Sequence, residues 1–430
     1  QRYSKTMRPF PPLPDWVALE HQVSQILTQQ QLHGWYFDEQ AAWKLASSLR
    51  GQLEETCQLL RDRHPFVYGS SFTPKANNRR YGYVKDCEVT KLKDLNPTSR
   101  DHISWILQTF HGWKPTQLTP TGKPIIDEVI LKEAASDGIT IAEDFHKCLD
   151  ITKKLGMISE GMNAWLKLCT TAKRVHHHCS VATNTHRCAH RSPNLGQVPS
   201  EHEYRELFQA SPGQIMVGAD LSGIELRMLA HYLAKYDAGR YADVLLNGDI
   251  HQVNADRIGI SRRQVKTVTY AFLYGAGDAK IGHSFDSSLN DRNAKLHGKE
   301  IRQAFVSAID GLAELLEAIK AAAQKGFIKS IDGRRIAVDS PHKALNYLLQ
   351  SGAGVVAKRW MVINHDNIKE LCCAQLAFIH DELQFECHPD HAADLSTSLV
   401  HCAEKAGEYY NMRLPIAAEA TSGKTWADTH

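Results

Sequence analysis

The chain has 430 residues, 50 Lys+Arg against 48 Asp+Glu, and 43% hydrophobic residues. That apolar content excludes disorder as the main state, and at about 100–200 residues per domain the length fits two to four domains or one multi-lobed unit. A formal net charge of +2 excludes no class of partner, because an acidic site cancels a basic track elsewhere.

No run approaches the ~18 continuous apolar residues of a membrane span, and no charged-then-apolar N-terminal segment reads as a signal peptide. Ten Cys are too sparse for a disulfide scaffold, and Cys372 and Cys373 are adjacent. A reducing, cytoplasmic compartment is expected. The first residue is Gln1, so an upstream segment is expected to have been removed.

In chain order, residues 1–34 open with Pro9-Phe-Pro-Pro-Leu-Pro, continue as a polar helix-like stretch, and read as a linker from a missing domain. Asp38 to Arg63 reads as a long helix, with Leu45, Leu49, Leu53, Cys57 and Leu60 at helical spacing. Residues 68–95 read as a loop. From Lys75 to Lys93 they carry six Lys/Arg and two acids, which suits contact with phosphates. Asn96-Pro-Thr-Ser opens a helix at 100–110, residues 112–126 are turn-rich, 139–168 are helical in pattern, and 174–183 read as a strand. Gln214–Asp220 reads as an apolar strand ending on an acid, followed by helices to about 326 and a helix over 341–366. Ala374–Ile379 and Leu383–Cys387 flank His380-Asp381-Glu382 and predict a tight hairpin, then a last helix over 389–410. The order predicts an α+β fold.

Two acids stand out by position. Asp220 ends a strand and Asp381 sits at a hairpin turn, 161 residues apart. Carboxylates so placed suit Mg²⁺, which prefers oxygen ligands and keeps positions open for phosphates. Alone, such acids are more often caps or solvated.

A sharper pattern follows Ser261-Arg-Arg-Gln264, a capping box. Arg262, Lys266, Tyr270 and Tyr274 recur every four residues, so they share one side of a helix. Cations near a helix N-terminus suit a polyphosphate, and aromatics further along suit stacking on a base. An ordinary amphipathic helix reads the same way. Asn346 and Gln350, at i and i+4, are amides able to read a base edge or a sugar. His176-His-His-Cys179 and His186-x-Cys188-x-His190 contain metal-ligand residue types but match no paired zinc spacing, and read as strand and loop rather than a metal centre.

Together these segments resemble the polymerase module of family A DNA polymerases, and most resemble the replicative enzymes of short-tailed phages. Motif A resembles Asp220-Leu-Ser-Gly-Ile-Glu-Leu-Arg-Met-Leu-Ala-His231, motif B Arg262-x3-Lys266-x3-Tyr270-x3-Tyr274-Gly275, and motif C His380-Asp381-Glu382. Gly248-Asp-Ile-His251 and Thr185-His-Arg187 through Pro193-Asn-Leu-Gly-Gln-Val-Pro199 also match, and the likeness runs from about residue 34 to the end.

The resemblance implies a right-hand polymerase fold with a helical thumb at 35–175, a palm at 176–225 plus 341–430 built on an antiparallel sheet, and helical fingers at 226–340. It implies template-directed addition of dNTPs to a primer 3′-hydroxyl with release of pyrophosphate. Asp220 and Asp381 are expected to hold two Mg²⁺, with the Leu221 carbonyl as a further ligand and Glu382 in support. His251, Arg262 and Lys266 are expected to grip the triphosphate, and Lys266 to protonate the leaving group. Tyr270 is placed by the sugar, Tyr274 by the templating base, and Glu225 under the sugar to exclude a 2′-hydroxyl. Arg187, Asn346, Gln350 and His380 are expected on the primer–template.

Three departures matter. The stretch between Arg63 and Asn96 is far shorter than the phage thumb insertion that binds thioredoxin, so no thioredoxin partner is expected. His186 replaces the Gly of the usual Thr-Gly-Arg. No exonuclease fits before residue 35, so no proofreading is expected in this chain, which is expected to act as a monomer. A single-subunit RNA polymerase, a metal-dependent nuclease and a non-catalytic nucleic-acid-binding remnant are the competing readings. Glu225 argues against the first, the intact Asp220, Asp381, Arg262 and Lys266 against the last.

Overall fold

The computed structural model describes residues 12–286, 289 and 291–430, so the first half of the Pro-rich opening lies outside the described residues. The chain divides into two compact units, residues 1–39 with 168–430, and residues 40–167.

The larger unit is organised by a four-stranded antiparallel sheet in the order Cys373–Ile379, Glu382–Cys387, Ile215–Leu221, Ala418–Gly423. The two central strands are buried over almost their whole length, with patterns such as Met216-Val-Gly-Ala219 and Glu382 through Cys387. Strands covered on both faces read as continuous runs rather than alternation. Helix Ala392–Tyr409 packs on this sheet, and helix Ala344–Asn367 packs on that helix. The second is buried nearly all round, from Leu345 to Asn364. A helix apolar on every side belongs in a core.

Asp15–His33 is helical, and it packs in the core of this unit rather than serving as a linker. Leu19, Val23, Ile26, Leu27 and Gln30 are buried at i, i+4, i+7, i+8 and i+11. Among polar neighbours this stripe is thin, so the stretch reads as a polar helix and its burial shows only in the fold. Its Glu20 accepts from the fully buried Lys358 ammonium at 2.8 Å and from Arg334.

The expected strand at 174–183 is two short ones in different sheets. Arg174–Val175 joins Trp35–Phe37 and Phe208–Gln209, while His178–Ser180 pairs with Ala189–Arg191. Trp35, Phe208 and Trp426 close a core beneath the first, with ring centroids 5.1–5.8 Å apart. The segment after the central strand is helical as expected, from Ile224–Asp237 to Leu312–Ala323. It ends in an unforeseen hairpin, Phe327–Lys329 with Arg335–Ala337.

The smaller unit packs helices Glu39–Arg63, Arg100–His111, Glu128–Ser136 and Ile141–Leu155 around Leu60, Ile103, Leu107, Phe145 and Cys148. The helical pattern over 139–168 is interrupted by a π turn at Gly156–Glu160. Residues 68–95 are a hairpin rather than a loop, Phe66–Phe72 pairing with Val89–Asp94. Most side chains of its second strand face solvent, so no buried alternation marked it.

Candidate active site

Sheet register brings the two acids together. Asp220 pairs across the ladder with Glu382, and Glu382 pairs on its other side with Ile379. His380 and Asp381 therefore form a two-residue turn at the same end of the sheet as Asp220. His380 takes φ +59°, a left-handed conformation that only glycine adopts freely, and strain of this kind collects at functional sites. The backbone N–H of Leu221 donates to the carbonyl of Asp381 at 3.1 Å, tying the end of motif A to the motif C turn.

The carboxylates hold protons more tightly than ordinary ones. Asp381 is pushed up to about 7 by burial, then by the charges of Asp220 and Glu225, with Arg187 opposing. Asp220 is open to solvent as a residue, yet partial desolvation of its carboxylate, then Glu382, raise it to about 6, against His430. Two anionic oxygen donors that repel one another suit a hard divalent cation, whose charge would reverse both shifts.

Glu382 lies in the strand rather than in the turn, and is 5% exposed. Trp426 donates to its Oε1 at 2.6 Å, Gln384 donates to the same atom at 2.7 Å, and His430 Nδ1 sits 3.0 Å from Oε2. The carboxylate is occupied by the protein.

Helix Arg262–Leu273 carries the capping box: Gln264 N–H donates to Ser261 Oγ and Ser261 N–H to Gln264 Oε1. Val265, Val268, Thr269, Phe272 and Leu273 face the core, which leaves Arg262 and Lys266 exposed and Tyr270 half-buried. Tyr274 is the first residue past the helix, 51% exposed, and Gly275 turns the chain at φ +71°. Arg262 Nε donates to Asp249 at 2.7 Å. Asp249 also caps helix Ile250–Ile258 through the backbone of His251 and Gln252. His251 is buried, its ring 6.2 Å from that of Tyr270, and its Nδ1 has no protein partner among the described residues. Burial and then Arg262 lower its proton affinity.

Glu225 gathers two other candidate site residues on one oxygen: Arg187 donates at 2.6 Å and the Tyr274 hydroxyl at 3.2 Å. His186 takes φ +60°, so it adopts the left-handed backbone that glycine favours and delivers Arg187 all the same. Its ring nitrogen lies 2.6 Å from the Ser351 hydroxyl. Asn346 is buried and donates to the Leu273 carbonyl at 2.7 Å, so part of its amide ties two helices together. Gln350, one turn on, is half-buried. Sequence reading missed Trp426, Gln384 and His430 around Glu382. They lie 44, 2 and 48 residues from it, respectively, and no local pattern marked them.

Comparison with known proteins places the chain. The sequence profile of DNA polymerase family A matches residues 77–428. The chain is 30% identical over 506 aligned residues to the DNA-directed DNA polymerase of Enterobacteria phage T3, covering 96% of this chain and 70% of the relative. The values are the same for the DNA-directed DNA polymerase of Escherichia phage T7. The solved polymerase domain of Pol1 from M. smegmatis, in complex with DNA primer-template and dNTP, superposes with a TM-score of 0.77 at 20% identity, covering 95% of this chain and 70% of that one.

The chain belongs to DNA polymerase family A and has the α+β right-hand polymerase fold. It is a DNA-directed DNA polymerase. No helix of the described residues is long and apolar enough to cross a membrane.

Proposed function

We propose that this chain extends a primer 3′-hydroxyl on a DNA template, adding dNTPs by phosphoryl transfer at Asp220 and Asp381. The observation that carries this is the hydrogen bond from Leu221 N–H to the Asp381 carbonyl, which sets two carboxylates from distant segments at one sheet end. Asp220, Asp381 and the Leu221 carbonyl would hold two Mg²⁺, which would supply charge neutralisation and activation of the primer hydroxyl. The protein's own part is to position: the sheet fixes the acids, and Glu382, already held by Trp426, Gln384 and His430, keeps the strand end in place.

Arg262 and Lys266 bind the triphosphate at the exposed end of their helix, and Lys266 delivers a proton to the departing pyrophosphate. Arg262 first leaves Asp249, a cheap exchange because exposed ion pairs are worth little. His251, its ring 6.2 Å from that of Tyr270, joins the same grip. Tyr270 lies by the sugar, Tyr274 by the templating base, and Glu225 fills the space a 2′-hydroxyl needs. Arg187, Asn346, Gln350 and His380 contact the primer–template. In this reading residues 35–175 are the thumb, 176–225 and 341–430 the palm, and 226–340 the fingers. The M. smegmatis relative solved with primer-template and dNTP supports these partners.

The test is extension of an end-labelled primer with Mg²⁺ and dNTPs, beside Asp381→Asn. Template-dependent lengthening, lost in the variant, supports the proposal. Shortening of the primer indicates a nuclease, preference for rNTPs an RNA polymerase, and tight DNA binding without extension a binding remnant.

A further inference from the structure

A second cluster of donors lies away from the carboxylates. The ribbon His178–Ser180 with Ala189–Arg191 places Cys179 directly opposite His190. His177 precedes Cys179 by two residues, so the period of an extended chain favours the same face. One donor atom from each of His177, Cys179 and His190 lies within 4.8 Å of the others. Cys179 Sγ and His190 Nδ1 are 3.3 Å apart. A tetrahedral zinc with bonds of about 2.0–2.3 Å holds its ligands about 3.3–3.8 Å apart, so one pair is already at ligand spacing and the third donor lies within 4.8 Å of both.

The burial of this cluster calls for a ligand. His177 is fully buried and His190 is 9% exposed. His177 Nδ1 is buried without a hydrogen-bond partner among the described residues. Buried polar atoms are almost always satisfied, and each exception asks for a reason. The other nitrogen of His177 is held at 3.0 Å by the Gln30 amide, which lies 3.6 Å from Cys179 Sγ. Gln375 donates to Gln30 Oε1 at 2.7 Å. Metal-binding histidines have this kind of outer support, which fixes ring orientation.

We propose that His177, Cys179 and His190 bind one soft divalent cation, zinc by preference. Two imidazoles and a thiolate with no carboxylate select zinc or a similar ion and reject Mg²⁺, so the site is chemically separate from Asp220 and Asp381. Binding releases the Cys179 thiol proton to solvent and leaves one tetrahedral position for a non-protein ligand. The site is structural. Through Gln30 it pins the ribbon to helix Asp15–His33, and the His190 ring stands edge-on to His380 with centroids 6.1 Å apart. A cation here therefore stiffens the floor under the motif C turn.

The test uses the full chain, stripped with a chelator and titrated with Co²⁺ in excess Mg²⁺. One Co²⁺ per chain, with a thiolate-to-metal charge-transfer band that Zn²⁺ displaces, is the expected result. Asp381→Asn keeps the band. Cys179→Ser abolishes it, and Gln30→Ala weakens Zn²⁺ binding ~10-fold or more. In the unmodified chain, Zn²⁺ shields Cys179 from an alkylating reagent while the exposed Cys87 and Cys372 react at unchanged rates. Absence of the band in the unmodified chain, its persistence in Cys179→Ser, or alkylation of Cys179 unaffected by Zn²⁺ would overturn the proposal.

Discussion

Arg187 and Glu225 form an ion pair of 2.6 Å with both side chains largely out of solvent, at 16% and 13% exposure. The same carboxylate oxygen accepts from Tyr274, so three segments of the site share one acceptor. Glu225→Ala removes the group proposed to meet a 2′-hydroxyl. Incorporation of rNTPs relative to dNTPs is expected to rise on the order of 100-fold. Leaving Arg187 unpaired also costs about 3 kcal/mol, readable by denaturant titration.

Asp381→Asn keeps the shape of the turn and removes one of the two opposed charges. Loss of several kcal/mol of charge stabilisation corresponds to a fall of about 1,000-fold in kcat. Primer–template affinity is expected to stay near the unmodified value. Chelation of divalent ions reproduces the loss in the unmodified enzyme. A variant retaining more than a tenth of the rate would sink the metal role of Asp381.

Glu382→Gln separates support from chemistry. Its carboxylate already accepts from Trp426 and Gln384, so the change disturbs packing more than reaction. Stability is expected to fall by about 1–3 kcal/mol, with kcat within ~10-fold of the unmodified enzyme. The reverse pattern, an intact melting point with activity gone, would make Glu382 catalytic.

Tyr270→Phe deletes one hydroxyl from a half-buried side chain whose ring lies 6.2 Å from that of His251. The resemblance to family members with Tyr at this place leads us to expect ready termination by ddNTPs, and at least ~10-fold better discrimination in the Phe variant. Equal termination by both would remove Tyr270 from the sugar site.

Glu386 gives a pH dependence distant from the chemistry. Burial pushes its carboxyl up, but hydrogen bonds from His33 and Ser211 and the charge of Arg174 outweigh this and hold it at about 2. The folded carboxyl is thus more acidic than its usual 4.5. Its stabilisation is present above pH ~4.5 and is lost as pH falls towards 2. Glu386→Gln is expected to cost on the order of 3 kcal/mol at neutral pH and to flatten the acid limb of the stability curve.

What was legible in the chain followed local periodicity. The capping box at Ser261 and the four-residue recurrence from Arg262 are properties of one helix, and they survive folding almost unchanged. Only Tyr274 departs, because Gly275 turns the chain there. The hairpin at His380-Asp381 was visible for the same reason. What stayed hidden depends on partners far along the chain. Ala418–Gly423 is an edge strand of small and polar residues, recognisable only once Ile215–Leu221 lies beside it. His33 and Glu386 meet across 353 positions, and nothing near either forecasts the other. His177, Cys179 and His190 match no paired ligand spacing along the chain, because a ribbon that folds back on itself brings donors together regardless of their separation in sequence.

The contact between Glu20 and Lys358 bears on how short a working version of this polymerase can be. The family profile begins matching at residue 77, which invites trimming everything before it. Such a truncation would strand the Lys358 ammonium, 0% exposed, inside the longest helix of the catalytic unit without its counter-ion. An uncompensated interior charge costs about 3–5 kcal/mol, a large part of the ~5–15 kcal/mol that holds a domain together. Deletion of residues before 34 should therefore yield aggregated or rapidly degraded protein even though every recognisable polymerase motif is retained, and replacing Lys358 with Met in the shortened chain should recover part of the soluble yield.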